Sequence, residues 1–406
     1  MWLVPALRFP EFTEEWKNTT LKNECSINPT SDKLKDEFVY VDLESVEKGE
    51  LTKKQVIEKE NAPSRAQRVL RNGDVLFQCV RPYQRNNYLV KNVSSEVQWV
   101  ASTGYAQLRT ERNNPAFIYH LLNTSSFNKK VIVRCTGSSY PAINSDDLSK
   151  IHFYICGDIE EQKRIADFLT LLDERIATQN KIIEDLKKLK SAIAETLFCT
   201  PKESMPAKRL SPYSKEWKLV KLSDICQRIQ TKNIGRQCRQ VLTIAAQYGL
   251  VNQEDFFNKT VASENLEGYY LLQKGDFAYN KSYSGDYTWG AIKRLERYDK
   301  GVLSPLYICF RPDSSKVDAD FLAHYFESKK WYKGVADIAG EGARNHGLLN
   351  ISVIDFFNTT HRIPNINEQK RIAKILNSLS LKSSCEQRIM QSLVMQRNYL
   401  LRNMFI

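Results

Sequence analysis

Glu161-Gln162-Lys163-Arg164-Ile165-Ala166 occurs twice in this chain, and the second copy begins 207 residues later at Glu368. Further matches lie upstream at a constant offset of 201, where Pro5-Ala6, Arg8, Trp16 and Cys25 recur as Pro206-Ala207, Arg209, Trp217 and Cys226. A fixed offset across most of a chain indicates an internal duplication. The 406 residues are therefore expected to form two related halves with more than one core.

Each copy of the hexapeptide opens a long segment with helical periodicity. Residues 160–198 contain no Gly or Pro, and apolar residues recur there every seven positions, which predicts a coiled-coil seam. A helix of this length is about 58 Å long, more than one domain can cover. The predicted seam residues are Ile165, Leu169, Leu172, Ile176, Ile183, Leu186, Ile193 and Leu197 in the first segment and Ile372, Leu376, Leu379, Met390, Leu393, Leu400 and Met404 in the second.

The two helical segments are expected to pair with each other, because each leaves an apolar stripe that must be buried. Even the polar interruptions of the seam are repeated, since Gln179 and Lys190 correspond to Glu386 and Arg397. The alternative is that each helix lies on its own domain. The heptads leave parallel and antiparallel pairing open.

The remaining residues predict two mixed α and β domains whose middles differ. Strands are predicted at residues 38–41, 75–77, 131–133, 151–155, 241–244 and 306–310, and short helices at 115–122 and 319–330. The proline-containing segment 199–217 predicts a linker. The predicted fold class is α+β, with globular domains at 1–155 and 201–365 and helical segments at 156–200 and 366–406.

Composition and motifs exclude several classes of protein. No apolar run is long enough to span a bilayer and no export signal is recognised, so we expect a cytoplasmic protein with reduced cysteines. The nine cysteines and five histidines lack the close pairs of a metal site, and no nucleotide-binding or catalytic motif is found. We therefore predict a chain without catalytic residues, metal or cofactor. The formal net charge of +12 favours a polyanionic partner such as nucleic acid.

Polar and aromatic loops in both halves are the candidate DNA-binding residues. Arginine can pair with guanine and Asn or Gln with adenine through two hydrogen bonds, whereas the alternative is a solvated polar turn. The candidates are Arg81, Tyr83, Gln84, Arg85, Asn86, Asn87, Ser138 and Tyr140 in the first half and Asn280, Lys281, Tyr283, Ser284, Tyr287, Arg344, Asn345 and His346 in the second. Because these loops differ, the halves would read different bases.

The residues 5–12 with Trp16, the stretch 73–78 with Arg81-Pro82-Tyr83, and the two hexapeptides together resemble the specificity subunit of type I restriction–modification systems. The resemblance covers essentially the whole chain. It implies two target-recognition domains that each read one half of an asymmetric bipartite site in double-stranded DNA, with the two long helices forming an antiparallel spacer and a pseudo-two-fold repeat.

The same resemblance implies a non-catalytic subunit with protein partners. Two methyltransferase subunits and restriction motor-nuclease subunits would join it, and S-adenosylmethionine, ATP and Mg²⁺ would bind only to those partners. Two other hypotheses remain open at this stage. The chain could be an interaction scaffold that does not read DNA sequence, or a solitary enzyme such as a nuclease.

Overall fold

The chain forms two compact units. A computed structural model describes residues 3–93, 96–257, 265–282, 287–338 and 349–406. Unit 1 consists of residues 1–181 and 388–406, and unit 2 of residues 182–387. Each unit therefore combines one globular segment with parts of both long helices.

Short strands dominate the globular part of unit 1. They form two four-stranded sheets, with orders β6-β3-β10-β7 and β2-β11-β8-β9, and the pairs β1-β12 and β4-β5. All pairings are antiparallel except that of β3 with β10. The strands are β1 Lys17–Thr20, β2 Ser26–Ile27, β3 Glu37–Val41, β4 Val46–Glu47, β5 Glu50–Leu51, β6 Gln55–Glu58, β7 Ala66–Val69, β8 Val75–Gln78, β9 Tyr88–Leu89, β10 Gln98–Ser102, β11 Tyr105–Arg109 and β12 His152–Ile155.

Unit 2 repeats part of this topology. Its four-stranded sheet β14-β21-β18-β19 corresponds to β2-β11-β8-β9, and its pair β13-β22 corresponds to β1-β12. The two halves differ where unit 2 has the pairs β15-β16 and β17-β20. The strands are β13 Lys218–Lys221, β14 Cys226–Arg228, β15 Leu242–Ala245, β16 Gly249–Asn252, β17 Tyr270–Gln273, β18 Phe277–Asn280, β19 Ala291–Arg294, β20 Lys300–Leu303, β21 Ile308–Pro312 and β22 Thr360–Ile363.

Two helices are much longer than the others. They are α5 and α11, which begin at the repeated hexapeptides as the sequence predicts. The α-helices are α1 Leu21–Glu24, α2 Pro115–Leu122, α3 Ser125–Ile132, α4 Ser145–Ser149, α5 Ile159–Leu197, α6 Leu222–Ile225, α7 Gln253–Phe257, α8 Ala319–Glu327, α9 Tyr332–Ala336, α10 Val353–Phe357 and α11 Ile366–Asn403. Short 3-10 helices lie at Lys59–Asn61, Pro82–Gln84 and Ile234–Arg236.

The core of unit 1 contains the start of α5 and the end of α11. Ile165 and Leu169 belong to the same buried cluster as Leu400, and the Phe405 ring lies 5.2 Å from the ring of Phe117 on α2. Arg397, one of the polar interruptions of the seam, forms an ion pair with Asp173. The end of the second long helix is therefore an integral part of unit 1.

The core of unit 2 contains the reverse combination. Ile372 and Leu376, near the start of α11, share a cluster with Leu197, at the end of α5. The ring of Phe198 lies 5.3 Å from that of Phe321 on α8. In both units the start of one helix packs beside the end of the other, which confirms the predicted antiparallel pair. All fifteen predicted seam residues are buried or half-buried.

One predicted strand is wrong. Residues 131–133 have β-branched side chains, but Val131 and Ile132 lie in α3. The side chain of Thr124 accepts a hydrogen bond from the backbone N–H of Phe127 and caps the helix at its start. Phe127 and Val131, four positions apart, are both buried on one face of the helix. Tertiary packing here outweighs the intrinsic strand preference of valine and isoleucine.

Candidate nucleic-acid interface

A buried aspartate anchors the same turn in both units. In unit 1, Gly73 adopts a φ of +88°, a conformation that favours glycine, and Asp74 then accepts two hydrogen bonds of 2.8 Å from the Arg109 guanidinium. In unit 2, Gly275 has a φ of +95° and Asp276 accepts bonds of 2.6 and 2.9 Å from Arg311. Both arginines lie on the strand paired with the one after the turn. The turn that precedes each candidate loop is thus fixed in the same way.

A second repeated contact joins each globular segment to its long helix. In unit 1, Arg8 donates two hydrogen bonds to the carboxylate of Glu161, at 2.6 and 2.8 Å, and Trp16 Nε1 donates a third at 3.3 Å. Glu161 is 1% exposed. The hydrogen bonds to this carboxylate raise the pKa of Arg8 above its usual value. The first turn of α5 is therefore held by a buried, charge-assisted contact.

Unit 2 contains the matching contact. Arg209 donates to Glu368 at 2.9 and 2.8 Å, and Trp217 Nε1 donates to the same carboxylate at 3.4 Å. Gln369 accepts a hydrogen bond of 2.8 Å from the backbone N–H of Asp318, as Gln162 accepts one of 2.9 Å from Asn114. We call the Arg–Glu–Trp contact of each unit its clamp. The clamps and these two glutamine contacts give both residues of the Glu-Gln start of each hexapeptide a structural role.

The loop that follows β8 is held in a defined conformation. Arg81 and Arg85 both have a φ of +54°, and a short 3-10 helix lies between them. The buried side chain of Gln78 donates to Gln84 Oε1 at 2.9 Å and accepts from the backbone N–H of Asn86 at 3.0 Å. Two uncommon backbone conformations are thereby stabilised by hydrogen bonds, as is typical of functional loops.

This loop and the loop at residues 136–140 meet at the surface of unit 1. The guanidinium of Arg81 lies over the ring of Tyr140, with its central carbon 4.4 Å from the ring centroid. Beside this pair lies a groove of about 710 Å³, which we call the unit 1 groove. Its lining residues are Leu43, Glu44, Val46, Glu47, Arg65, Gln78, Val80, Arg81, Gln84, Asn86 and Tyr140.

The predicted DNA-binding residues of unit 1 differ in their exposure to solvent. Tyr83, Gln84, Ser138 and Tyr140 are exposed, whereas Arg81, Arg85 and Asn86 are half-buried. Burial, together with the charge of Arg397, lowers the pKa of Arg85, whose guanidinium lies 3.5 Å from the carbonyl of Asn123.

Asn87, one of the predicted DNA-binding residues, is buried inside unit 1. It is 2% exposed, and its amide accepts from the backbone N–H of Gln78 and donates to Asn123. Both sides of the amide are therefore used inside the unit. A sequence of alternating arginine and amide residues does not reveal which amide faces inward.

The predicted residues of unit 2 are only partly placed. Asn280 accepts a hydrogen bond of 3.0 Å from the backbone N–H of Ser282, and Lys281 Nζ donates to the carbonyl of Ile351 at 3.3 Å. Tyr287 is half-buried, with Lys293 Nζ 5.6 Å from its ring centroid. Five further predicted residues lie outside the described residues, namely Tyr283, Ser284, Arg344, Asn345 and His346.

The sequence interpretation missed several residues that organise these surfaces. Arg65 and Gln78 line the unit 1 groove, yet only Gln78 lies next to a recognised motif. The partners Arg109 and Arg311 could have been found, because they are separated by the same offset of 202 as Asp74 and Asp276. No pattern in the sequence marks Arg65.

Two of the buried histidines, His120 and His324, occupy equivalent places in the two units. His120 Nε2 lies 3.1 Å from Thr170 Oγ1 on α5, and His324 Nε2 lies 2.8 Å from Asn377 Oδ1 on α11. Burial lowers the pKa of His120 to about 4, so this ring is neutral at physiological pH. Each histidine therefore packs on the long helix of its unit as a structural residue.

Within the described ranges, no group of three or more His, Cys, Asp or Glu side chains is placed to hold a metal ion. The nine cysteines are unpaired as disulfides. No helix among the described residues has the length and apolar character needed to cross a membrane.

Comparison with known proteins gives the same two-part division. The sequence model of the type I restriction modification DNA specificity domain matches twice, at residues 14–188 and 214–394. The type I restriction enzyme HindI specificity subunit of Haemophilus influenzae is 25% identical over 173 residues, 42% of this chain and 34% of that protein. The MjaVIII specificity subunit of Methanocaldococcus jannaschii is 24% identical over 251 residues, 54% of this chain and 53% of that protein.

The matched part of the chain thus spans about a third of the length of the first relative and about half of the length of the second. Among solved structures, a type I restriction–modification S subunit from M. genitalium is similar in fold, with a TM-score of 0.59 at 15% identity, over 99% of both chains. The family match covers most of the chain and coincides with its duplication. This chain therefore belongs to the type I restriction modification DNA specificity domain family.

Proposed function

We propose that this chain is the DNA specificity subunit of a type I restriction–modification complex, in which each unit reads one half of an asymmetric bipartite target. The observation that carries this proposal is a repeated structure whose candidate loops differ in sequence. The clamps and the aspartate turns are the same in both units, whereas the residues of the candidate loops are different. Loops that differ in sequence but stand on equivalent frameworks are suited to reading different DNA sequences.

The chain acts in this proposal without chemistry of its own. The buried ionisable groups described above serve structural contacts, and methyl transfer and DNA cleavage fall to partner subunits. S-adenosylmethionine, ATP and Mg²⁺ would bind to two methyltransferase subunits and to motor-nuclease subunits. The proposed complex would act on double-stranded DNA in the cytoplasm.

The proposal predicts that the two units can be exchanged independently. Replacing residues 1–155 by the matching segment of another family member should change one half of the target and leave the other half intact, because the hydrogen bonds that shape the unit 1 loops come from unit 1 itself. The measurement is a map of methylated bases in cells that carry the hybrid and its partners. If both halves of the motif changed, the units would not read DNA independently.

Exposed apolar side chains on the long helices are the proposed docking site for a methyltransferase subunit. Leu171, Met395 and Tyr399 in unit 1 are largely exposed although they lie on helices whose other faces are buried. Met395 and Tyr399, four positions apart, lie on the same face of α11, and contiguous exposed apolar patches commonly mark protein interfaces. We expect Leu171→Asp and Met395→Asp to weaken binding of the methyltransferase subunit by at least about tenfold, because a buried charge without a partner opposes docking.

Copurification of the tagged chain with its methyltransferase partner measures this effect. Lys187→Asp is the matched control, because it places the same new side chain at an exposed polar position of α5. Normal copurification of both apolar-site variants would contradict the proposed docking site.

A further inference from the structure

Arg81 is held in place by both its backbone and its side chain. Its backbone N–H donates to the carbonyl of Pro141 at 2.8 Å, and its φ of +54° is fixed by the loop described above. Its guanidinium lies 4.4 Å from the centroid of the Tyr140 ring. An arginine ordered before binding loses less side-chain entropy when it meets a ligand.

The charges around Arg81 leave its guanidinium available. The two carboxylates that line the unit 1 groove have lysine partners, Glu44 with Lys53 at 3.7 Å and Glu47 with Lys48 at 3.5 Å. Among the described residues, no carboxylate lies within ion-pair distance of Arg81. A guanidinium over an aromatic ring is attracted to the ring face, and its N–H donors can still form hydrogen bonds with a ligand.

We infer that Arg81 reads a guanine base in the half-site bound by unit 1, with Tyr140 as the residue that orients it. This inference rests on the proposed function and deepens it by naming the base. A fixed planar guanidinium matches the O6 and N7 acceptors of guanine through two hydrogen bonds. A phosphate contact carries no base information, so its loss would weaken binding to every sequence alike.

The substitution Arg81→Lys tests the base contact, because it keeps the charge and replaces the planar pair of N–H donors by a single flexible ammonium group. With the wild-type chain assembled with its methyltransferase partner, one position of the unit 1 half-site should prefer guanine. Arg81→Lys should reduce that preference by about 5- to 150-fold, measured by competition between duplexes that carry each of the four base pairs there. Preferences at all other positions should stay as in the wild type.

Variants of Tyr140 provide a second test that leaves Arg81 in place. Tyr140→Phe retains the ring and should keep the guanine preference, whereas Tyr140→Leu should lower it in the same direction as Arg81→Lys. Arg112→Lys, an exposed arginine that does not line the groove, is the matched control and should bind as the wild type does.

The outcomes distinguish the inference from the proposed function. A wild-type complex without any bipartite preference would overturn the proposed function. A wild-type bipartite preference that Arg81→Lys and Tyr140→Leu both leave unchanged would overturn the inference alone. A third outcome would assign Arg81 to a phosphate and would also overturn the inference. In that case Arg81→Ala would weaken binding to every duplex equally, and Arg81→Lys would keep the full guanine preference.

Discussion

Glu161→Ala is expected to destabilise unit 1 by about 3–5 kcal/mol, the usual cost of removing one partner from a buried ion pair. The substitution leaves the Arg8 guanidinium, 10% exposed, without its carboxylate and removes the acceptor of Trp16 Nε1. It also removes one of the contacts that hold the first turn of α5 to the globular segment. Glu368→Ala should have the same effect in unit 2, where Arg209 and Trp217 are the donors.

Hydrogen exchange read by mass spectrometry can assign the loss to one unit. Peptides of β1 and the start of α5 should lose protection in Glu161→Ala, and peptides of β13 and the start of α11 in Glu368→Ala. Glu160→Ala is the matched control, because Glu160 is the exposed neighbour of the same type. Protection in Glu161→Ala equal to that of the control would mean that the clamp contributes little to stability.

Phe198→Ala is expected to destabilise unit 2 by about 3–5 kcal/mol through the cavity that it leaves. The Phe198 ring is fully buried and packs against Phe321 at 5.3 Å and Tyr325 at 5.6 Å. This residue lies just after the end of α5, so its loss tests whether the end of the first long helix belongs to the second unit.

Denaturant unfolding of the intact chain, followed by the exchange of unit 2 peptides, measures this effect. Leu189→Ala is the control, because Leu189 lies on the same helix but its side chain is exposed. Its free energy of unfolding should stay within about 0.5 kcal/mol of the wild type. An equally small change for Phe198→Ala would show that unit 2 does not depend on the end of α5.

The sequence predicted the duplication and the long helices because both are periodic. The heptads and the repeated hexapeptide depend only on spacing, and spacing is fully visible in a single sequence. The antiparallel sense of pairing came from the family resemblance, since heptads are compatible with either direction. The error at residues 131–133 arose because a cap at Thr124 and burial of Val131 favour a helix. Neither feature can be recognised from the three residues 131–133 alone.

The candidate interface was less predictable than the fold. Loop composition selected both Arg81 and Tyr140 as candidates, but their contact joins segments about sixty residues apart and depends on tertiary structure. Composition also cannot separate an amide that faces solvent from one that is buried, as Asn87 shows. In the sequence the clamp residues could be recognised only as repeated residues, because the contact between Arg8 and Glu161 joins positions 153 residues apart.

The central claim is that two equivalent units with unlike loops read two unlike half-sites. A map of methylated bases in cells that contain this chain and its methyltransferase partner tests it most directly. We expect one motif composed of two different blocks of specified bases, separated by a constant number of unspecified base pairs. A single continuous motif, or two identical blocks in a palindrome, would contradict the claim.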